Sequence, residues 1–327
     1  MEFFVGTLTR EGGGGVLRCQ MQDGCIKLKE TLFLTDPNYV ISCGDRLFAV
    51  SSDAKGEFRG CVNEIDVNGK MRVLAQEETA GNAPCFLCPS PDGRFLYCPN
   101  YGTGSIAVFP IEGGLKPRIQ LVTHSGSGPH PTRQTAPHVH QTLFIPGTQY
   151  LCACDLGTDE IVVYRAHQET GLLERHSTLH LSGGPRHLVF ADEHLGYACH
   201  ELSNEVTVLH VRNGVLSAGQ TVSTLPQEMT NTASAIRLNK GINRLYVSNR
   251  GHGSIAVYDI LSDGGLKQKE YWDAGAFPRD FVLLEDESVI VADQRMGIRL
   301  LGPDGKEMDC YAHVGAVCIS IKRDNIT

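Results

Sequence analysis

The chain has 327 residues, a formal net charge of −8 at neutral pH and 36 glycines. Its length suits two ordinary domains or one large all-β domain, and an acidic chain without a basic tract is unsuited to non-specific nucleic-acid binding. No run of about 18 apolar residues could span a bilayer, and the opening stretch, with Glu2, does not resemble a signal peptide. We therefore expect a cytoplasmic protein that binds neither nucleic acid nor membranes.

The 12 cysteines do not indicate disulfides or a metal site. Most of them lie in strand-like apolar runs, where a reduced cysteine packs as a small hydrophobic side chain. Cys85 and Cys88 have CxxC spacing, but no second pair follows, and their thiols would point to opposite faces of an extended strand. We therefore expect no metal, no redox pair and no cofactor.

Taken in chain order, the sequence is a succession of short apolar or alternating runs separated by turns. Such runs predict antiparallel β-strands. The first pair flanks the glycine-rich turn at 11–14, and a clear later turn is PDGR at 91–94. The predicted strands are 3–7, 15–21, 39–42, 47–51, 84–88, 95–100, 105–109, 137–144, 150–155, 160–164, 188–190, 196–200, 205–210, 233–238, 244–249, 254–258, 278–282, 289–293, 297–300 and 314–321.

The regular spacing of these strands indicates the fold. The second strands of successive groups end at Ser51, Asn100, Asp155, Glu201, Asn249 and Asp293. Neighbouring ends are 44 to 55 residues apart. Three or four short strands in a period of about 50 residues indicate a β-propeller, whereas unrelated β-sandwiches would show no fixed period.

Six groups are visible, and strands at both ends of the chain are left over for a seventh. We expect the run at 314–321 to pair with the N-terminal strands, which would close the ring and leave no free sheet edge. The predicted fold is therefore all-β, a seven-bladed β-propeller. It forms a single domain over residues 1–327, and its ring is closed by the N- and C-terminal strands in the last blade.

The fourth group shows how polar side chains would collect at one end of the ring. Its runs at 188–190 and 196–200 predict an antiparallel hairpin. A hairpin brings the start of its first strand beside the end of its second. Arg186 and Glu201 should therefore be neighbours on one rim.

Corresponding positions in other groups should gather around the same mouth of the central channel, a usual place for a ligand. Four residues before the ends of the first strands stand His140, Arg186, Ser234 and Arg279. At the ends of the second strands, or just after them, stand Asp155, Glu201, Asn249, Arg250, Asp293 and Gln294. The side chains expected to converge are His140, Arg186, His187, Glu201, Asn249, Arg250 and Arg279.

This set of side chains suits a small anionic substrate. Arginine binds a carboxylate or phosphate through two parallel hydrogen bonds, and a histidine with a carboxylate can supply a general base and its partner. Hydrolysis of an ester or lactone needs such a base and a cation or donor at the developing oxyanion. No G-x-S-x-G motif occurs, so we expect direct attack by water rather than a serine nucleophile.

Structural roles compete with these assignments. Arg186 and Glu201 could form an ion pair that only stabilises one blade. His187 could be a structural histidine of an inner strand, with its ring nitrogens hydrogen-bonded within the fold. His138 could have a structural role near the rim rather than contact a substrate. Arg279 could pack on the rim without touching a ligand.

The longest irregular segment lies at 124–136, with the sequence HSGSGPHPTRQTA. A long loop in a compact fold is either functional or disordered. Because this segment directly precedes His138 and His140, we expect it at the rim of the mouth or as a lid.

Several segments together resemble a known family. They are PHVHQTLFIPGTQYLCACDLGTDEIVVY, GGPRHLVF followed by YACHELSNEVTVL, RLYVSNRGHGSIAVYDI and FPRDFVL. They resemble the lactonase family of seven-bladed propellers, which includes 6-phosphogluconolactonases of the cycloisomerase-2 type and is similar to fungal carboxy-muconate lactonizing enzymes. The resemblance covers essentially the whole chain, and the GPRH and NRGH motifs carry most of its specificity.

The resemblance implies hydrolysis of 6-phospho-D-glucono-1,5-lactone to 6-phosphogluconate in the oxidative pentose phosphate pathway, without a metal. The catalytic residues that it implies are His140, Arg186, Glu201 and Arg250. In this scheme His140 or Glu201 activates water, and the two arginines hold the phosphate or the carbonyl oxygen. Further substrate contacts are expected from His187, Asn249, Arg279, His138 and Asp155.

One position departs from the family pattern. Family members usually carry an acidic residue before the isoleucine in the first strand of the fifth group, where this chain has Ala235, so we expect one carboxylate fewer in the mouth. Two other functions stay open: a cycloisomerase acting on a muconate-type lactone, and a non-catalytic propeller that binds a small anion or a protein partner. The expected partner is a small anionic lactone, and we expect a monomer or a weak homo-oligomer.

Overall fold

The structure, a computed structural model, describes residues 1–52, 59–241 and 243–322. Within these ranges no helix is long and apolar enough to cross a membrane. A short 3-10 helix spans Thr9–Glu11, and the other regular elements are strands. The strands are β1 (Glu2–Thr7), β2 (Val16–Gln22), β3 (Cys25–Leu32), β4 (Val40–Cys43), β5 (Arg46–Ser52), β6 (Gly60–Asp66), β7 (Arg72–Glu78), β8 (Cys88–Pro89), β9 (Phe95–Asn100), β10 (Ser105–Pro110), β11 (Gln120–Thr123), β12 (Val139–Phe144), β13 (Tyr150–Asp155), β14 (Glu160–Ala166), β15 (Leu173–His180), β16 (Pro185–Phe190), β17 (Leu195–His200), β18 (Glu205–Arg212), β19 (Val215–Ser223), β20 (Ala233–Asn239), β21 (Arg244–Asn249), β22 (Ser254–Ile260), β23 (Leu266–Asp273), β24 (Pro278–Leu283), β25 (Val289–Asp293), β26 (Gly297–Leu301), β27 (Glu307–Ala312) and β28 (Ala316–Ile321).

In the described part of the chain the strands form seven antiparallel sheets of four strands each, which are the blades of a propeller. Blades 1 to 6 are β4–β7, β8–β11, β12–β15, β16–β19, β20–β23 and β24–β27, and blade 7 is β28 with β1–β3. The first strands of successive blades contact each other from β8 through β28 to β4, so they surround the central axis. The predicted all-β, seven-bladed propeller is confirmed.

Blade 7 joins the two ends of the ring, as predicted. Its strand β28 pairs with β1, where Gly6 lies opposite Cys318. A Cβ atom on Gly6 would lie 2.4 Å from the carbonyl oxygen of Pro37, so this close approach requires glycine. The backbone N–H of Ser42 in blade 1 donates to Ser320 Oγ at 2.8 Å and ties blade 7 to its neighbour.

The apolar side chains pack between neighbouring blades rather than in one central core. Successive side chains of a strand point to opposite faces of its sheet, and both faces of these sheets are covered by a neighbouring blade. Between blades 6 and 7, Phe3 and Leu17 pack with Ile298. Between blades 3 and 4, Cys154 packs with Leu188. These layers fix the angle of each blade and therefore the positions of side chains that point into the channel.

One predicted strand is wrong. Residues 84–88 do not form a continuous strand: β8 spans only Cys88–Pro89, and Pro84 makes an isolated bridge to Asn100. Proline has no backbone N–H, so Pro84 and Pro89 each remove a donor from the ladder. The first strand of blade 2 is correspondingly short, although its chain still follows the axis.

Candidate active site

A β-bulge interrupts the first strand of several blades at the same place. In blades 3, 4 and 6 the pairing with the second strand skips one residue, which is His140, Arg186 and Arg279 respectively. A bulge re-aims the side chain of its unpaired residue, and these three side chains line one small cavity on the axis. The four-residue offset seen in the sequence therefore corresponds to a repeated bulge.

In blade 5 the bulge falls on Ser234 and Ala235. Ser234 Oγ donates to the carbonyl oxygen of Arg279 at 2.6 Å and so steadies the bulge of blade 6. Ala235 is fully buried in the apolar layer between blades 5 and 6, with Trp272 and Phe281. The expectation that Ala235 marks a carboxylate missing from the mouth is therefore wrong, because this position belongs to an apolar layer.

The residue after each second strand supplies the other half of the mouth. The last residues of these strands to pair with the first strand are Asn100, Asp155, His200, Asn249 and Asp293. Side chains alternate along a strand, so the next residue points to the opposite side. The residues in this next position are Tyr101, Leu156, Glu201, Arg250 and Gln294. Glu201 thus corresponds to Arg250 and not to Asn249, which corrects the sequence alignment by one residue.

Asp155 and Asn249 hold turns, and a contact between either side chain and a substrate stays a prediction. Both are fully buried. Asp155 Oδ1 accepts hydrogen bonds from the backbone N–H groups of His138 and Gly157. Asn249 Oδ1 accepts one from Thr224 Oγ1 at 2.8 Å. Oδ1 of each side chain is therefore engaged within the fold.

Asn249→Ala is expected to lower the free energy of unfolding by about 1–3 kcal/mol, because several buried hydrogen bonds made by its side-chain amide would be lost. Thr224 Oγ1 and Asn231 Nδ2 would each keep one other acceptor, on Asn204, whereas the carbonyl oxygen of Thr224 would lose the hydrogen bond from Asn249 Nδ2. Urea unfolding measures the change, with Gln227→Ala at an exposed position as the control. Unchanged stability together with a raised KM for substrate would instead support the predicted substrate contact of Asn249.

Glu201 is buried at the centre of an arginine cluster. Its Oε2 accepts a hydrogen bond from Arg186 Nε at 2.8 Å and lies 2.8 Å from Arg250 Nη2, while its Oε1 accepts from Arg133 Nη2. The predicted proximity of Arg186 and Glu201 is confirmed. Burial alone would raise the pKa of Glu201, but Arg250, Arg186 and other positive neighbours outweigh it and hold that pKa far below its usual value.

Arg133 was not identified from the sequence. It belongs to the loop at 124–136, and its Nη2 also donates to Tyr101 Oη at 3.3 Å. These contacts place the loop at the rim of the mouth, as expected. Strand periodicity does not place residues of a loop, so it could not identify Arg133. The signal in the sequence that could have indicated a site residue was an arginine shortly before the first strand of blade 3.

Arg279 differs from the other arginines of the mouth because no carboxylate within the described ranges pairs with it. Its Nη1 and Nη2 donate to neutral acceptors, Gln294 Oε1 at 3.2 Å and Asn38 Oδ1 at 3.3 Å. The adjacent Asp280 pairs with a different arginine. Burial and the neighbouring arginines lower the pKa of Arg279 to about 9. Its guanidinium is still charged at pH 7. A bound anion would supply the counter-charge that Arg279 lacks among the described residues.

His140 and His187 are buried neighbours whose ring centroids are 5.1 Å apart. Burial and the positive charge of Arg186 lower the pKa of both histidines well below the usual value, so both imidazoles are neutral at pH 7. Arg186 Nη1 lies 3.3 Å from His187 Nε2. The buried Nδ1 of His140 has no hydrogen-bond partner among the residues that the structure describes. Buried polar atoms are usually satisfied, so an unengaged imidazole here is a functional signal.

His138 lies at the rim, where it supports Tyr101. The two rings are stacked with centroids 4.4 Å apart, and His138 Nδ1 lies 2.8 Å from the carbonyl oxygen of Tyr101. Tyr101 in turn meets the ring of His140 edge-on, at a centroid distance of 5.6 Å. The ring of Tyr101 therefore lies between His138 at the rim and the buried His140. A contact between His138 and a substrate stays a prediction.

The mouth has a closed floor. The cavity lined by His140, Arg186, His187 and Arg279 has a volume of only about 10 Å³, roughly the space that one water molecule occupies. A larger cavity of about 480 Å³ opens on the other side of this floor and is lined by later residues of the first strands, such as Leu143 and Leu238. A substrate that enters the mouth would therefore rest on the histidine and arginine side chains.

No group of three or more His, Cys, Asp or Glu side chains able to hold a metal ion occurs within residues 1–52, 59–241 and 243–322. Cys85 and Cys88 are buried and form no disulfide. Cys85 Sγ donates to the carbonyl oxygen of His140 at 3.2 Å. Burial raises the pKa of both thiols to about 12, so both are protonated at neutral pH and contribute packing beside the site.

Comparison with known proteins agrees with this architecture. Residues 2–298 match the family described as lactonase, 7-bladed beta-propeller. A 6-phosphogluconolactonase of Bacillus subtilis (strain 168) is 32% identical over 304 residues, which cover 88% of this chain and 86% of that protein. The structure of a periplasmic gluconolactonase of Pseudomonas aeruginosa is 28% identical, with a TM-score of 0.87 and 98% of each chain covered. The chain therefore belongs to the lactonase family of seven-bladed β-propellers.

Proposed function

We propose that the protein hydrolyses a sugar lactone, with 6-phospho-D-glucono-1,5-lactone as substrate and 6-phosphogluconate as product. One observation carries the proposal: the neutral imidazole of His140, unengaged at Nδ1, lines the same floor as Arg186 and Arg279. A base beside fixed cations is what the attack of water on a lactone carbonyl requires. Membership of the lactonase family and the names of the Bacillus and Pseudomonas relatives support the same class of reaction.

The general base is assigned to His140 rather than to Glu201. Both carboxylate oxygens of Glu201 are engaged by guanidinium groups, which hold its pKa far too low for it to accept a proton at pH 7. His140 is already neutral at that pH. Its low pKa makes it a weak base in the empty site, but a bound anion offsets the charge of the arginines and raises that pKa.

In the proposed reaction, water attacks C1 of the lactone while His140 removes one proton from that water. The carbonyl oxygen becomes an oxyanion, which Arg279 stabilises because its charge is not spent on a carboxylate of the described residues. The bond from C1 to the ring oxygen then breaks, and the imidazolium of His140 returns the proton to that oxygen. The net change consumes one water and gives the open-chain acid with a free C5 hydroxyl.

Arg186 and Arg250 hold the shape of the charged site. Both bind Oε2 of Glu201, and Arg250 also donates to the carbonyl oxygens of Thr232 and Ala233, each at 3.3 Å. Fixed guanidinium groups need little reorganisation when substrate arrives. Their positive charge, together with that of the other arginines, exceeds the charge of one carboxylate and suits a phosphate-bearing substrate.

This substrate would place the protein in the oxidative pentose phosphate pathway, and we propose the cytoplasm as its compartment. Cys152 and Cys154 are buried free thiols, which suits a reducing environment. The Pseudomonas relative is described as periplasmic. Fractionation of cells that produce this protein would therefore decide between the two compartments.

The test is the release of acid from freshly prepared 6-phosphogluconolactone, measured against its spontaneous hydrolysis at the same pH. Acceleration in proportion to protein concentration supports the proposal, and a rate equal to the uncatalysed one overturns it. A change in muconolactone absorbance instead would identify a cycloisomerase. Binding of 6-phosphogluconate without turnover of either lactone would identify a non-catalytic anion-binding propeller.

A further inference from the structure

We propose that Arg133 binds the phosphate of the substrate and so distinguishes a phosphorylated lactone from the unphosphorylated sugar lactone. This inference rests on the proposed lactone hydrolysis and adds a residue that selects among lactones. It starts from the position of Arg133, which reaches the mouth from the loop at 124–136 and not from a strand. Its side chain is 36% exposed, whereas those of Arg186 and Arg250 are 3% and 8% exposed.

The hydrogen bonds of Arg133 leave most of its donors available. Both side-chain hydrogen bonds of Arg133 to described residues come from Nη2, which donates to Glu201 and Tyr101. Neither Nε nor Nη1 donates to any residue in the described ranges. A guanidinium carries five N–H groups in a rigid planar arrangement that matches the oxygens of a phosphate. Arg133 is therefore anchored through one nitrogen and can offer the other two to a ligand.

The loop that carries Arg133 is anchored to blade 3 by side-chain hydrogen bonds. Gln134 is buried, and its Nε2 donates to the carbonyl oxygen of Leu156 at 2.8 Å. At the start of the loop, His124 Nδ1 lies 2.7 Å from Asp155 Oδ2. A loop held by such anchors loses little conformational entropy when a ligand binds, so a contact made from it retains more of the binding free energy.

The floor and the rim of the mouth also match the positions of the carbonyl carbon C1 and the C6 phosphate in the substrate. His140 lies in the closed floor, where the reacting carbonyl must rest, and Arg133 lies above it on the exposed rim. In a 1,5-lactone of a hexonic acid the C6 substituent lies on the far side of the ring oxygen from C1. With C1 at the floor, a C6 phosphate points to the rim, where an unphosphorylated lactone would present only a neutral hydroxyl.

The experiment compares kcat/KM for 6-phosphoglucono-1,5-lactone with that for glucono-1,5-lactone in the wild type, Arg133→Gln and Arg133→Lys. Loss of one charge-assisted contact of about 1.5–3 kcal/mol predicts that the ratio of the two values falls about 10- to 100-fold in Arg133→Gln. Arg133→Lys should recover part of the ratio, because lysine keeps the charge but not the planar fork. Arg175→Gln, at an exposed position on β15, is the matched control.

An unchanged ratio in Arg133→Gln overturns the inference, whether both activities fall together or neither changes. A joint fall would mean that Arg133 only positions Glu201. If the wild type hydrolyses neither lactone, the proposed function fails by itself, and calorimetric binding of 6-phosphogluconate and gluconate tests Arg133 separately. In that case Arg133→Gln should weaken binding of the phosphorylated acid alone, and equal weakening of both acids overturns the inference.

Discussion

His140→Asn is expected to lower kcat for lactone hydrolysis by about 10²- to 10⁴-fold, the usual contribution of a positioned general base. Asparagine keeps the polarity of the site and approximates part of the ring's volume, but it cannot take a proton from water. KM should change little, because the arginines that attract the anion are untouched. Initial rates of acid release at pH 7, corrected for spontaneous hydrolysis, measure the effect.

The same assignment predicts the dependence on pH. An unperturbed histidine titrates near about 6.5, but burial and the charge of Arg186 lower the pKa of His140 in the free protein. The neutral, active form therefore persists below pH 6.5, and kcat/KM should stay level there and decline only in more acidic solution. His194→Asn, at an exposed turn, is the control. Full activity in His140→Asn would remove this histidine from the mechanism.

Glu201→Gln is expected to lower the free energy of unfolding by about 3–5 kcal/mol, the cost of removing one partner from a buried ion pair. The variant keeps the shape of the side chain but leaves the guanidinium groups of Arg133, Arg186 and Arg250 without a counter-charge. Urea unfolding at pH 7 measures the loss. Glu228→Gln, at an exposed position, should change stability by less than about 0.5 kcal/mol.

The difference between wild type and Glu201→Gln should also depend on pH with a definite sign. The folded-state pKa of Glu201 is depressed, so its stabilisation is complete above the unfolded value of about 4.5 and is lost as the pH falls towards the folded pKa. The two unfolding curves should therefore approach each other in acid. A destabilisation below about 1 kcal/mol at pH 7 would show that the cluster tolerates loss of its carboxylate.

The fold could be predicted from the sequence because it repeats. A period near 50 residues survives errors in single strands, so the failure at 84–88 did not alter the number of blades. The closing pair β1 and β28 was also predictable, since a ring leaves no free edge. The same strand pattern recurs in every blade, so one wrongly predicted strand that contains prolines does not change the predicted fold.

The site was predicted only in part because its geometry depends on single residues. His140, Arg186 and Arg279 were found through a constant offset, which the bulges explain. The sequence alignment paired Glu201 with Asn249 instead of Arg250, and a one-residue error along a strand exchanges the two faces of the sheet. Periodicity fixes a strand to within a residue or two, whereas the direction of a side chain requires the register itself.

Closure of the ring by β28 and β1 has a consequence for biosynthesis. The two strands are adjacent in the sheet although about three hundred residues of chain separate them. During translation, β1 emerges long before its partner and must wait with one edge unpaired, which exposes the nascent protein to aggregation. Blade 7 cannot be completed before β28 is available to pair with β1. The proposed activity should consequently appear only after β28 has paired with β1, and chaperones that shield open strand edges should raise the yield of folded protein.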